Sequence, residues 1–341
     1  MPLLVWTQKP DSKSMRRAAR NAAVGGFLDR HHNEKLFLEI KAFLEQVKDY
    51  LSSASAEAVV NLVHGLPWKV VAFKRQLKRD LKRASSRGET VDLYNYLLGA
   101  LGTKADIRQI PSDTADVLAA NGPCMLVSNH SYPPFDGLTT LSLMQRYRSQ
   151  IGIMVNSNNC LLRTFPEYCC NTIPLHMEGG LLGCRDKDEV RRSQIAALKR
   201  TIRELNDNGC VTVFPAGQGS KATRWGDPIT DLPWLSGVGQ IVSHFNRHGR
   251  HLDIVPVHIV GHMGSTENSR RYQWAAIERP TWLPAALQLA LFNPPPKVSI
   301  RVGHPISAAS LSGMSRDQIT DALRQAVYDL GDDPAIAKRT E

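Results

Sequence analysis

Apolar positions recur every three or four residues through the first hundred residues of this chain, and then the rhythm changes. In FLDRHHNEKLFLEIKAFLEQVKDYLSS, the residues Phe37, Ile40, Phe43, Leu44 and Val47 share one helical face. LPWKVVAFKRQLKRDLKRASSRG repeats the pattern with Val70, Phe73, Leu77 and Leu81. From about residue 106, short apolar runs alternate with longer amphipathic ones. PCMLVSNH predicts a strand, FDGLTTLSLMQRYR a helix, and IGIMVNS a second strand. CCNTIPLHM predicts a further strand, DEVRRSQIAALKRTIRELNDNG a long helix closed by Gly209, and CVTVFPAG a strand again. WLSGVGQIVSHFNRHG predicts a helix ending at Gly249, followed by the strands DIVPVHIVG and KVSIRVGHPI. MSRDQITDALRQAVYDLG supplies a C-terminal helix with Ser315 as its N-cap. Short apolar strands alternating with helices imply an α/β fold, with a mostly parallel central sheet flanked by helices. The expected organisation is an N-terminal helical segment over 1–105, the α/β domain over 106–310, and a C-terminal helix and tail over 311–341.

Charge narrows the partners. The chain has 341 residues and a formal net charge of +10, which favours anionic partners such as phospholipid headgroups, phosphorylated substrates or nucleic acid. Much of the excess surrounds the second N-terminal stripe, where Lys69, Lys74, Arg75, Lys78, Arg79, Lys82 and Arg83 are opposed only by Asp80. A helix of this kind either lies on an anionic bilayer, each basic residue contributing about 1 kcal/mol, or is a surface helix with a solvated basic face. Nucleic acid is the weaker reading, because aromatic residues do not interleave with this run as base stacking requires. No apolar run is long enough for a spanning helix or a signal peptide, so membrane contact is expected to be peripheral, on the inner face. The six cysteines form no CxxC pair and several sit in apolar runs, which suits a reducing cytoplasm. No ligand-like cluster calls for a metal or a bound cofactor.

Candidate chemistry begins at VSNHSYPPFDGL, residues 127–138. His130 stands where an apolar strand stops, and ligands of open α/β sheets gather beyond the carboxyl ends of their strands. Pro133 and Pro134 disfavour helical backbone in the residues before them, so the chain crosses the strand end in an extended bend. Asp136 then falls in the first turn of the next helix. A carboxylate beside an imidazole fixes its tautomer and stabilises the imidazolium formed when it takes a proton. The same residues also admit a plain reading, with Asp136 a helix cap and His130 an ordinary strand-end residue. A second element, VTVFPAGQGSK at 211–221, weighs against it. There another strand runs into Phe214, Pro215, Gly217, Gly219, Ser220 and Lys221, a turn whose glycines let amides approach an anion. No serine or cysteine sits on a Gly-x-Ser-x-Gly elbow, so direct transfer is favoured over a covalent intermediate.

Taken together these blocks resemble the glycerolipid acyltransferase superfamily, with its lysophosphatidic acid acyltransferase (PlsC-like) domain. Asn129, His130 and Asp136 match an NH…D motif at a strand end. Phe214, Pro215, Gly217 and Ser220 match a Phe-Pro-x-Gly-x-x-Ser block. NTIPLH, IVPVHIVG and VGHPI resemble three further family strands, and all five blocks run in one order from residue 124 to about 306. The stretch from FPAGQGS to Asp231 and Trp234 is similar to bacterial relatives of the ornithine-lipid acyltransferases and hemolysin-annotated proteins. Two departures stand out. Five residues separate His130 from Asp136 where four are commoner, and the middle block reads IPLHMEGG, without the arginine that often binds an acceptor phosphate.

The resemblance implies a glycerol-phosphate-acyltransferase-like fold and an acyl transfer from acyl-CoA or acyl carrier protein to a lipid-like acceptor. His130 would be the general base and Asp136 its partner. Phe214, Pro215, Gly217, Gly219, Ser220, Lys221 and Arg224 would bind the acceptor or its phosphate, and Asn129 and His176 are possible substrate contacts. A non-catalytic lipid-binding homologue and an acyl thioesterase are the alternatives.

Overall fold

Cys124–Ser128 (β2), Cys210–Val213 (β5) and Asp253–Ile259 (β6) form the middle of a sheet, and their near-continuous burial explains their mostly apolar sequences, interrupted inside by Thr212 and His258. The computed structural model describes residues 92–100, 103–108, 110–132, 135–156, 172–176, 186–217, 219–220, 231–260 and 297–331, with isolated positions between 76 and 87. The remaining strands are Ala105–Ile107 (β1), Ile151–Asn156 (β3), Thr172–Leu175 (β4), Val298–Val302 (β7) and Ile306–Ser307 (β8). Their order is β1-β7-β6-β2-β5-β3-β4, with β8 paired to β6. The run from β6 through β2, β5 and β3 to β4 is parallel throughout. β7 and β8 oppose β6, and β1 runs with β7. The fold is therefore α/β with a mostly parallel sheet.

Helices cover both faces. On one, Met125, Val127, Val211, Val213 and Ile254 pack against helices Lys187–Asn206 (α4), Gly237–Arg247 (α5) and Arg316–Tyr328 (α6). Each fully buried aliphatic side chain there contributes about 1.5–3 kcal/mol. On the other, helix Phe135–Gln145 (α3) brings Met144 Sδ to 3.3 Å from Cys210 Sγ and 3.5 Å from Thr212 Oγ1. Helix Leu93–Ala100 (α1) packs on α3, and Ser142 of α3 donates to Asp92 (2.8 Å). α5 and α6 come close because Gly239 has no side chain. A Cβ there would overlap the Arg316 carbonyl oxygen and lie 2.8 Å from Thr320 Oγ1. Cys124 and Cys210 are free, buried, and opposite one another in the β2–β5 register.

The amino ends of the strands are tied by one side chain. Arg148, between α3 and β3, donates to the carbonyls of Val117 (2.6 Å), Leu118 (2.7 Å), Asn208 (3.3 Å) and Gly122. Val117 and Leu118 lie at the end of helix Ser112–Ala119 (α2), and Gly122 and Asn208 stand two residues before β2 and β5.

Several boundaries differ from the sequence expectation. Asn208, not Gly209, takes the left-handed position after α4, at φ 62°. The Gly209 amide then reaches back to Glu204 (2.8 Å) and that of Asn208 to Leu205 (3.0 Å), a Schellman closure in which the glycine is the following residue. α5 begins at Gly237, because Asp231 to Leu235 form an extended strap instead. KVSIRVGHPI is two strands, β7 and β8, broken at Gly303–Pro305. Helix α2 and strand β1 fall where no element was expected. The Ser315 cap is present as a full capping box with Gln318.

The first N-terminal stripe lies outside the described residues, as do Lys221, Arg224, Pro133 and Pro134. Within the basic stripe Gln76, Arg79, Asp80, Lys82, Arg83 and Ser86 are helical, and Gln76 donates to Asp80 at 2.9 Å. Among the described residues no helix is long and apolar enough to cross a membrane.

Candidate active site

The register that sets Val127 opposite Val213 delivers two loops to the same carboxyl edge of the sheet. His130 leaves β2 two residues past its end, and Phe214 leaves β5 directly. Their rings stack with centroids 4.5 Å apart and planes inclined by 28°. Phe214 thus packs against one face of the imidazole and limits its rotation.

The opposite constraint is Asp136, fully buried in the first turn of α3. Its Oδ2 lies 2.6 Å from His130 Nδ1 and accepts the Tyr132 amide (3.2 Å), while Oδ1 accepts the Gly137 amide (2.8 Å). A carboxylate only accepts, so Nδ1 carries the proton and Nε2 keeps its lone pair. The bend between them closes on Tyr132, whose carbonyl accepts the amides of Phe135 (2.6 Å) and Asp136 (3.1 Å). The longer His-to-Asp spacing is therefore compatible with direct contact. Burial disfavours a charged His130 ring. Asp136, by charge and hydrogen bond, and Asp231, by charge, outweigh it, so the imidazole titrates above its ordinary range. The His130 side chain keeps 20% of its surface accessible.

Asn129 serves the scaffold. Its Oδ1 accepts the Ile259 amide (2.7 Å), and its Nδ2 donates to the Ile259 carbonyl (3.1 Å) and Ser131 Oγ (2.8 Å). The side chain continues the β2–β6 ladder one step past the end of β2, with both of its Nδ2 protons already used inside the protein.

In the 214–220 turn, the amides of Gly217 and Ser220 are taken by the protein. Gly217, at φ 69°, donates its amide to Phe214 (2.9 Å), closing a turn that favours glycine. Ser220 donates its amide to the His130 carbonyl (2.8 Å) and its hydroxyl to Asp231 Oδ1 (2.7 Å). Pro215 is buried, and its carbonyl accepts the Leu235 amide (2.9 Å). Gly219 lies between these anchors, half-buried.

His176 follows β4, with its amide on Ser193 Oγ (2.8 Å) and Nε2 3.6 Å from Glu189 on α4. Three strand spacings separate β4 from β2, on the order of 15 Å. His176 shares the sheet edge with His130 without joining the dyad. Among the described residues no group of three or more His, Cys, Asp or Glu side chains is placed to hold a metal.

No family model and no curated protein matches this chain.

The residue that sequence reasoning undervalued is Asp231, noted only as half of an Asp-x-x-Trp similarity. It is 4% exposed and accepts from His130, Ser220 and Trp234. The one signal available was the strap itself, DLPW, in which an acid sits among apolar neighbours that bury it.

Proposed function

We propose that the protein is an acyltransferase that moves a fatty acyl group from an acyl thioester, acyl-CoA or acyl carrier protein, to a hydroxyl or amine of a (lyso)phospholipid-type acceptor. The observation that carries this reading is the 2.6 Å contact of His130 Nδ1 with the buried Asp136 carboxylate, at a sheet edge where the ring keeps an accessible surface. Nε2 takes the proton of the acceptor, whose oxygen or nitrogen attacks the thioester carbonyl. The tetrahedral oxyanion collapses, the carbon–sulfur bond breaks, and the departing thiolate takes the proton from the imidazolium. An ordinary thiol has a pKa of about 8.5, so its thiolate leaves with little acid assistance. General-base catalysis of this kind contributes about 10²–10⁴-fold.

The oxyanion needs a preorganised donor, worth on the order of 10²–10³ in rate. With the Gly217 amide closed on Phe214, Gly219 is the remaining backbone candidate in this turn. Lys221 and Arg224 supply positive charge for an acceptor phosphate in this reading, and the basic N-terminal helix holds the enzyme on the anionic inner face of the membrane. His130→Ala in a thioester-release assay with membrane lipid acceptors tests the mechanism. Turnover should fall by about 10²-fold or more, and near wild-type turnover removes it. Free fatty acid in place of acylated lipid as the product would favour the thioesterase reading.

A further inference from the structure

The His130 peptide is held from both sides. Asp231 Oδ1 accepts its amide at 3.1 Å, and Ser220 donates its own amide to its carbonyl at 2.8 Å. Ser220 closes the loop between them, its hydroxyl reaching the same Asp231 oxygen at 2.7 Å. The second oxygen, Oδ2, accepts the Trp234 indole at 3.0 Å. All of these donors are neutral, as is the Tyr328 hydroxyl that also hydrogen-bonds Asp231, and the carboxylate is almost wholly removed from water. Among the described residues no cation bonds directly to it, and a buried anion left so costs several kcal/mol, more than stapling two loops together requires. A neutral acceptor such as an amide oxygen would staple them too. The charge gains most when a cation forms nearby, and among the described residues His130, whose amide it already holds, can become one.

We propose that Asp231 is a positioning residue for the reaction: it fixes the His130 peptide against the 214–220 turn, and its charge joins that of Asp136 in favouring the imidazolium formed during transfer. The groups facing it fit this role. Asp136 approaches His130 from α3. From α6 comes Tyr328, whose hydroxyl burial and then the Asp231 charge hold protonated and neutral. The Arg324 guanidinium lies 5.0 Å over the Tyr328 ring. The inference rests on the acyl-transfer reading, and its test keeps the two apart.

The test compares full-length wild type, Asp231→Asn, Ser220→Ala and Asp136→Asn. The His130 ring is titrated by NMR, which needs no substrate, and acyl transfer is followed against pH. Asp231→Asn should move the ring titration to lower pH, less far than Asp136→Asn does. It should also lower kcat on the order of 10–10²-fold, as small misplacements of a catalytic group do, with KM little changed. Ser220→Ala keeps the charge and should leave the titration where it is or move it upward, while still lowering kcat. An unmoved titration in folded Asp231→Asn, or a downward move in Ser220→Ala, overturns the proposal. Should Asp231→Asn fail to fold, an unchanged kcat in Ser220→Ala overturns it instead. A wild type without acyl transfer removes the functional reading, and the ring titrations still decide whether the Asp231 charge acts on His130.

Discussion

Asn129→Ala should cost more stability than its single lost side chain suggests. Alternate residues of a strand direct their amide and carbonyl to opposite sides, and Ile259 directs both of its groups toward β2. Its neighbour Val260 donates to Ser299 on the β7 side, which confirms the alternation. Because β2 ends at Ser128, the Asn129 amide is what meets both Ile259 groups, and Ile259 is fully buried. Removing it leaves a buried N–H and a buried C=O unpaired, at about 1–3 kcal/mol each, and so a loss of about 2–6 kcal/mol. Against a typical domain stability of 5–15 kcal/mol this is a large share. Urea denaturation measures it, and hydrogen exchange at the Ile259 amide localises it: that amide should lose its protection in the variant. Asn129→Asp keeps the acceptor for the amide but sets a carboxylate against the Ile259 carbonyl, and should be no more stable than the alanine variant. A loss under about 1 kcal/mol with the Ile259 amide still protected would refute the account.

Asp136→Asn should lower kcat by about 10³–10⁴-fold, because an amide NH₂ facing Nδ1 favours the tautomer that removes the Nε2 lone pair. The sign of its pH effect is fixed: a base works only when neutral, so kcat/KM in the wild type rises with pH through a His130 value above the ordinary ~6.5, and losing the carboxylate moves that limb to lower pH. A limb that stays in place in steady-state profiles would contradict the pairing. Gly239→Ala should destabilise by about 1–3 kcal/mol, seen as a shifted denaturation midpoint, since α5 and α6 must separate to admit the methyl group. Ser315→Ala should cost about 1 kcal/mol through loss of the Gln318 capping box.

The parallel core was legible because β2, β5 and β6 are buried on both faces and therefore mostly apolar along their length. The His130–Asp136 contact was legible as well, since strand-end histidine, stiff bend and first-turn acid leave few ways to place the pair. Helix α2 was not, because it is short, with only Thr114 and Leu118 buried, and too little periodicity to read. The partners inside the glycine turn were not legible either. Its spacing suggested amides free for an anion, yet Gly217 and Ser220 direct theirs to Phe214 and His130. Periodicity reports which side of an element is buried and says nothing about which polar group a turn amide will find. Asp231 escaped notice for the same reason, as its partners are a distant backbone amide, a hydroxyl eleven residues back and an indole.

Arg148 gives the two rims of the sheet different chemistry. A guanidinium remains charged at any pH a folded protein meets, so the clasp where β2 and β5 start has no proton to gain or lose. At the rim bearing His130 the imidazole gains a proton as the pH falls, and the Asp136 carboxylate then faces a cation instead of a neutral ring. The contribution of that rim to stability is therefore fullest in mild acid and fades as the pH rises through the His130 titration, while the grip of Arg148 on the opposite rim stays constant.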